Sequence, residues 1–336
     1  MKKKNLVIIN NEKMLKDGES IFCDNLDLKV LPEGLSHYYD VEYIVRKSKK
    51  RGGQKLNLKN IKISSNIISF IINVLRTFKN NPKFLIISIT PYTFLTMLIL
   101  FLFRKKTILY LWSDGHEEWK YILGSWSVWI FHLMFIVCTK ADKIIVCNKR
   151  LVKKESHLIS ISRLDNNWFA NKKEPELDKV KFLYVGRLSA EKGIFNFLEI
   201  FKKTNLDSEL SIVGNPKNHN IKEKNVRMLG YISDPNSLKN VYDDHNITVL
   251  PSYTEGYPYV VDESLSRDRP VIVFEEISYV VNNKKGIFVC KRDLSSFEKT
   301  VNDIIKNYKK VQEDIRNNKL PTKESMLRQI SNIIGN

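Results

Sequence analysis

The sequence of 336 residues has few of the groups that would make it a metal-dependent or disulfide-stapled protein. Its four cysteines, Cys23, Cys138, Cys147 and Cys290, are widely scattered, with no CxxC pair and no His/Cys cluster, so neither a disulfide framework nor a zinc site is expected. No Asp-x-Asp pair stands at a strand end, and Asp243-Asp244 reads as a solvated pair closing a helix. Five of the histidines, His37, His132, His157, His219 and His245, form no ligand spacing and read as structural. The phosphate-binding spacings GxxxxGK[ST] and GxGxxG are both missing. An unbroken membrane-length apolar run is missing too. Residues 84–103 are long enough to span a bilayer, but Ser88, Thr90, Pro91, Tyr92 and Thr93 interrupt them, giving a buried strand, a turn and an apolar helix that leads into a strand at 107–112. Residues 126–138, WSVWIFHLMFIVC, suit a buried or interfacial helix. The N-terminus has a short apolar run and no small-residue cleavage site, so it reads as a first strand at 6–9 of a cytoplasmic chain.

What is present is a globular composition, 43% hydrophobic and 27% charged, in a chain long enough for two cores. Strands at 6–9, 40–45, 84–88, 107–112 and 143–147 alternate with helical or loop segments. Periodicity stops at 166–179 and then resumes with strands at 180–185, 209–213, 226–229, 247–250, 270–274 and 286–290. This is the α/β signature of two doubly wound, Rossmann-like domains, with the ligand crevice at the carboxyl ends of their strands. The expected organisation is an N-terminal domain at 1–165, a linker at 166–179, a C-terminal domain at 180–312 and a helical tail at 313–336 able to cross back.

Charge is uneven. Residues 1–180 hold 31 Lys and Arg against 17 Asp and Glu, a net +14 of the total +18. Residues 44–62 carry Arg46, Lys47, Lys49, Lys50, Arg51, Lys55, Lys59 and Lys62 with no acid, a density that suits an anionic membrane surface. The charge would also suit a nucleic acid, but no nucleic-acid-binding module surrounds it; the bland alternative is a solvated lysine-rich face.

Two stretches of the second half carry chemistry. In FLYVGRLSAEKGIFNFLEIF, residues 182–201, a strand ends at Gly186, a turn carries Arg187 and Lys192, and a helix follows whose free N-terminal amides favour phosphate oxygens. In PSYTEGYPYVVDES, residues 251–264, Pro258 suits a first helical turn, leaving Glu255 in the loop and Glu263 inside the helix.

Together, Gly186-Arg187-Leu188, Glu191-Lys192-Gly193, Glu255-Gly256-Tyr257-Pro258 and Glu263 resemble the GT4 family of retaining glycosyltransferases of GT-B fold, two facing Rossmann-like domains. The resemblance covers residues 181–290 by motif; before them it is topological. It extends to SIVGNP, with Gly214-Asn215-Pro216 where the family often has G-x-G, and to VRMLGYIS, whose Tyr231 falls in the nucleotide-base loop. It implies Glu263 on the ribose hydroxyls, Glu255 on the transferred sugar beside Gly256, Tyr257 and Pro258, and Arg187 and Lys192 on the diphosphate. His116 is either the histidine that relatives often hold near the donor sugar or a structural loop histidine; Asp114 is weaker still. The usual glycine-rich loop after the first strand is replaced by NNEKMLKDGES, with Gly18 alone. The implied activity is metal-independent, cofactor-free transfer of a hexose from a UDP- or GDP-sugar to a lipid-linked or cell-surface glycan at the inner membrane face. A sugar-nucleotide epimerase and a non-catalytic nucleotide-sugar binder are the rivals.

Overall fold

The computed structural model describes all residues except 1, 2, 25, 51, 216–220, 222 and 336; Arg51, Pro216 and His219 thus lie outside the described residues. The chain divides into two compact units, residues 1–163 with 323–336, and residues 164–322. In chain order the first unit contains β1 (Lys4–Asp17), β2 (Ser20–Cys23), α1 (Asp27–Leu35), β3 (Tyr39–Lys47), β4 (Gln54–Leu56), β5 (Asn60–Ser64), α2 (Ile67–Arg76), β6 (Lys83–Ile87), α3 (Pro91–Leu102), β7 (Thr107–Leu111), α4 (Gly115–Leu123), α5 (Ser127–Cys138), β8 (Lys143–Val146) and β9 (His157–Leu158). The second contains β10 (Val180–Val185), α6 (Ile194–Phe201), β11 (Ser208–Val213), β12 (Val226–Gly230), α7 (Pro235–Asp243), β13 (Ile247–Leu250), α8 (Tyr259–Ser266), β14 (Val271–Phe274), β15 (Ile287–Cys290), α9 (Leu294–Lys306) and α10 (Tyr308–Arg316), after which α11 (Lys323–Gly335) belongs to the first unit again.

In the first unit, the parallel strands run β5-β3-β1-β6-β7-β8-β9. Strands covered on both faces read as continuous apolar runs, and Phe84, Leu85 and Leu109 are fully buried. The 84–103 run breaks where the sequence suggests: Ser88 takes a left-handed φ of 61°, and Thr90 with Thr93 forms a capping box that starts α3 with Pro91 in its first turn. At 1.5 Å per residue α3 is about 18 Å long, well short of a ~30 Å hydrocarbon core. Among the described residues no helix is long and apolar enough to cross a membrane. The first strand differs from its reading. β1 continues to Asp17 and turns at Gly18 (φ 60°) into antiparallel β2, so NNEKMLKDGES is a hairpin arm rather than a ligand loop.

Helix α11 buries Met326, Leu327, Ile330 and Ile334 in this unit. Gly34 makes room for it, since a Cβ there would lie 2.3 Å from Leu327 Cδ1. Lys143 donates to the Ile333 carbonyl (2.7 Å), and Lys83 to that of Ile334, placing two cations at the negative end of the helix.

The second unit is a parallel sheet ordered β12-β11-β10-β13-β14-β15. Phe182, Phe197 and Phe297 form the centre of its main core. Residues 166–179 start inside this unit rather than as a free linker, because Trp168 is buried against Tyr242 (ring centroids 5.9 Å). Likewise α10 runs past residue 312 as part of this unit, held by buried Tyr308, Val311 and Ile315.

Asp243 is not the solvated residue the sequence suggests. It is buried and takes a two-pronged ion pair from Arg267 (Nε–Oδ1 2.9 Å, Nη2–Oδ2 2.7 Å), while Arg267 also donates to the carbonyls of Trp168, Ala170 and Asn171. Asp244 remains exposed, paired with Lys173. A buried guanidinium stripped of its carboxylate is costly, so Asp243→Ala is expected to lower stability by about 3–5 kcal/mol in urea unfolding. A change near zero would restore the solvated reading.

Candidate functional site

In the second unit the strand order reverses between β10 and β13: β11 and β12 lie outward of one, β14 and β15 outward of the other. The connections leaving the carboxyl ends of these two strands lead to opposite sides of the sheet order, and that reversal is where an open parallel sheet usually takes its ligand. The loops are residues 186–193 and 251–258, the two stretches singled out by sequence.

Glycine is required at two points of this surface. A Cβ on Gly193 (φ 64°) would stand 1.9 Å from the Pro251 carbonyl oxygen, so only glycine lets the loops approach. A Cβ on Gly214 would stand 2.2 Å from the Gly186 carbonyl oxygen, which fixes the closeness of the β10 and β11 ends. Across the crevice Lys192 Nζ meets Glu255 Oε1 at 2.7 Å, with both side chains largely buried. Ser252 Oγ donates to the same oxygen (2.7 Å), and Tyr253 N donates to Glu191 O (3.0 Å). The Tyr279 hydroxyl donates to Glu255 O (2.6 Å) and accepts from Glu255 N (2.9 Å), pinning that backbone.

Arg187 stands at the rim, its side chain 76% exposed and 3.4 Å from Glu191. Burial pushes the Glu191 carboxyl up, but the Ser189 hydroxyl, its own amide and the cations Arg187 and Lys192 outweigh that and hold it below the usual carboxylate range. Helix α6 begins immediately after Gly193, so its first amides and positive dipole end lie beside Lys192.

Pro258 precedes α8 as its cap residue, one position outside the helix rather than within its first turn. Glu263 lies inside α8, 5% exposed, with Oε2 accepting from the Tyr242 hydroxyl at 2.9 Å. Tyr257 donates to Asp262 (2.6 Å), which also pairs with Lys284 (2.5 Å); this ties down the turn that carries Gly256. Tyr231 is 59% exposed directly after Gly230, at the carboxyl end of β12. The structure thus joins Lys192 to Glu255 by direct contact, and places Gly186, Arg187, Gly214, Tyr231 and the 256–258 turn on the carboxyl-end side of one sheet.

His116 belongs to the first unit. Its ring lies 3.2 Å from His132 Nδ1 and edge-on to Phe131, and Asp114 caps α4 by accepting from His116 N (3.0 Å). Burial pushes its imidazole below the ordinary value, against the opposing charge of Asp114. His132, read as structural from sequence, is thus its hydrogen-bond partner; nothing in their spacing signals that α4 folds back on α5.

Sequence reasoning also missed Arg292. Its guanidinium lies over the rings of Tyr253 (4.2 Å) and Phe274 (4.4 Å), and its Nε donates to Glu276 (2.7 Å). Nη1 is buried with no hydrogen-bond partner among the described residues, 3.3 Å from where a Cβ on Gly193 would stand. In sequence it is one more loop cation after a strand. Among the described residues no three His, Cys, Asp or Glu side chains group as a metal ion requires. Burial pushes the thiols of Cys138, Cys147 and Cys290 up to about 12.

Such a crevice, with two cations, a helix N-terminus and a held carboxylate, has the chemistry to take a nucleoside diphosphate. Each charge-assisted contact is worth roughly 1.5–3 kcal/mol. Isothermal titration with UDP and GDP is therefore expected to show Glu263→Gln and Arg187→Ala weakening binding by about one to two decades with unchanged melting behaviour. Wild-type affinity in both variants would contradict the assignment.

Comparison with known proteins agrees with this geometry. Residues 166–320 match the family described as Glycosyl transferases group 1. The capsular polysaccharide biosynthesis glycosyltransferase CapM of Staphylococcus aureus is 30% identical over 162 residues, 42% of this chain and 42% of that protein. The chain therefore matches less than half the length of that curated relative. Among solved structures, sucrose-phosphate synthase from Thermosynechococcus elongatus superposes with a TM-score of 0.70 at 15% identity, covering 98% of each chain. Anabaena Alr3699/HepE in complex with UDP and glucose gives 0.71 at 12% identity, over 98% of this chain and 99% of that one. At such identities the likeness establishes the fold, GT-B with two Rossmann-like domains. Residues 166–320, which lie within the second unit, are thus similar to the glycosyl transferases group 1 family.

Proposed function

We propose that the protein is a retaining glycosyltransferase of polysaccharide assembly, moving a hexose from a UDP- or GDP-sugar to a lipid-linked or cell-surface glycan acceptor. The observation that carries this reading is the Lys192–Glu255 pair at the strand-order reversal, where one residue suits the diphosphate and the other the sugar. An ammonium has three donors, so Lys192 can hold Glu255 and still reach a phosphate oxygen. When the bond from the anomeric carbon to the diphosphate oxygen breaks, negative charge grows on the leaving phosphate, where Arg187, Lys192 and the α6 N-terminus stabilise it. Glu255 orients hydroxyls of the transferred sugar beside Gly256, Tyr257 and Pro258. Glu263, restrained by Tyr242, matches its two oxygens to the ribose diol, and Tyr231 lies by the base. Gly186 and Gly214 keep the floor clear of side chains.

The acceptor hydroxyl attacks on the face the diphosphate leaves, its proton passes to a phosphate oxygen, and the anomeric configuration is retained. His116, in the first unit, is a neutral hydrogen-bonding group, consistent with its lowered basicity. These protein cations take the place a divalent metal would fill, so no metal or other cofactor is needed. The enzyme works at the cytoplasmic face of the cell membrane, bound peripherally to anionic lipid and not to nucleic acid. Lys47, Lys49, Lys50, Lys55 and Lys59 of the basic run are exposed for this, whereas Lys62 is paired with Glu42 and Arg46 lies over the Tyr92 ring.

Transfer from the cognate donor is expected to continue in excess EDTA, with proton NMR showing product of the donor's own anomeric configuration. Strict Mn²⁺ or Mg²⁺ dependence, or an inverted product, would contradict the mechanism. Epimerised nucleotide sugar formed without acceptor would identify an epimerase instead.

A further inference from the structure

We propose that the outer face of α2, α3 and α5 in the first unit is a membrane-lying surface that inserts apolar side chains into an anionic lipid leaflet, going beyond purely electrostatic docking. The proposal deepens the peripheral-membrane part of the preceding reading and is independent of the donor chemistry.

The three helices form one layer on one face of the sheet: α2 packs on α3, α3 on α5, and their inner residues Phe70, Val74, Met97, Leu100, Phe131 and Met134 share a single core. Their outer residues should be polar if water covered them. Instead, of the nineteen large hydrophobic residues that the described structure leaves exposed, nine lie within these three helices. Leu102 is 77% exposed, Ile68 69% and Trp129 62%, and Trp126, the cap residue before α5, is 63% exposed. Arg76 is the only charged residue within α2, α3 and α5. An apolar surface this extensive marks an interaction site.

Charge says what covers it. From residue 43 to 113 there is no Asp or Glu, against fourteen Lys and Arg. Each helix returns the chain to the start of the next parallel strand, so the C-terminal ends of α2, α3 and α5 line the same edge. That edge carries Lys79, Arg104, Lys105, Lys106 and Lys140. Asp142 stands at the same edge, its carboxylate accepting from Thr107 N, while Asp114, Glu117 and Glu118 sit at the opposite, N-terminal end of α4. An apolar face bordered by cations, with tryptophans at one margin, matches the boundary between acyl chains and anionic headgroups. A second copy of the chain would set like-charged borders against each other in an isologous contact, and a nucleic acid would leave the leucines and isoleucines uncovered.

The test uses the full chain with vesicles of phosphatidylcholine alone or mixed with phosphatidylglycerol, read by cosedimentation and tryptophan emission. Of the five tryptophans only Trp126 and Trp129 are exposed. Binding to anionic vesicles is expected to shift emission to the blue, with quenching by bromolipids, and part of the binding should persist in 1 M NaCl. Trp126→Phe with Trp129→Phe should abolish the spectral shift and retain binding. Trp129→Glu with Leu102→Glu should lower the partition coefficient at least about tenfold while nucleotide affinity and melting temperature are unchanged, which separates this face from the donor site. Loss of all binding in salt without any emission shift, binding that ignores Trp129→Glu with Leu102→Glu, a stable dimer in sedimentation, or no vesicle binding would each overturn the proposal and leave the donor-site reading standing.

Discussion

The contact on which the rest of the site depends is the ion pair between Lys192 and Glu255, because it joins two loops that the sheet order sends in opposite directions. A lysine after β10 and a glutamate after β13 meet only if Gly193 lets its loop come down on the Pro251 carbonyl and if Tyr279 holds the backbone of Glu255. Ser252 and Tyr253 add hydrogen bonds at the same seam. The pair is mostly shielded from water, so its charges act at lower effective dielectric than surface pairs, and its removal would leave either charge poorly compensated. A diphosphate arriving beside Lys192 finds a cation already oriented by a carboxylate that itself suits sugar hydroxyls. On the proposed reading, the donor's two halves would be addressed by the two partners of one interaction.

Legibility from sequence followed the range over which each residue acts. Parallel strands buried on both faces declare themselves as apolar runs, so β6, β7, β10 and β13 were readable within a residue or two. The strand-end position of Gly186, and the placement of Glu255 in a loop and Glu263 in a helix, were readable because they belong to local strand-loop-helix patterns. What could not be read depends on partners far along the chain. Asp243 pairs with Arg267, Arg292 reaches under Gly193, and His116 meets His132 across a helical turnaround. The helix α11 is amphipathic in sequence, but its home among residues of α1, β3 and β6 rests on Gly34 and on lysines whose carbonyl partners no pattern names.

The first unit shows why composition alone misleads about solvent. The apolar character of residues 84–103 satisfies two demands at once: the inner half of α3 fills the core with Met97 and Leu100, while Leu102 and Phe103 remain outside. A helix of that length cannot span a bilayer, yet its outer face is not made for water either. The cations that follow at 104–106 lie just beyond its end, where an amphipathic surface element carries them.

On the proposed reading, one ligand occupies both loops of the crevice at the strand-order reversal. Hydrogen–deuterium exchange with and without a saturating nucleoside diphosphate sugar measures this directly. Slowed exchange in both 186–194 and 251–263, with β14 and β15 unchanged, is the predicted result; protection confined to one of the two loops, or to neither, would contradict it.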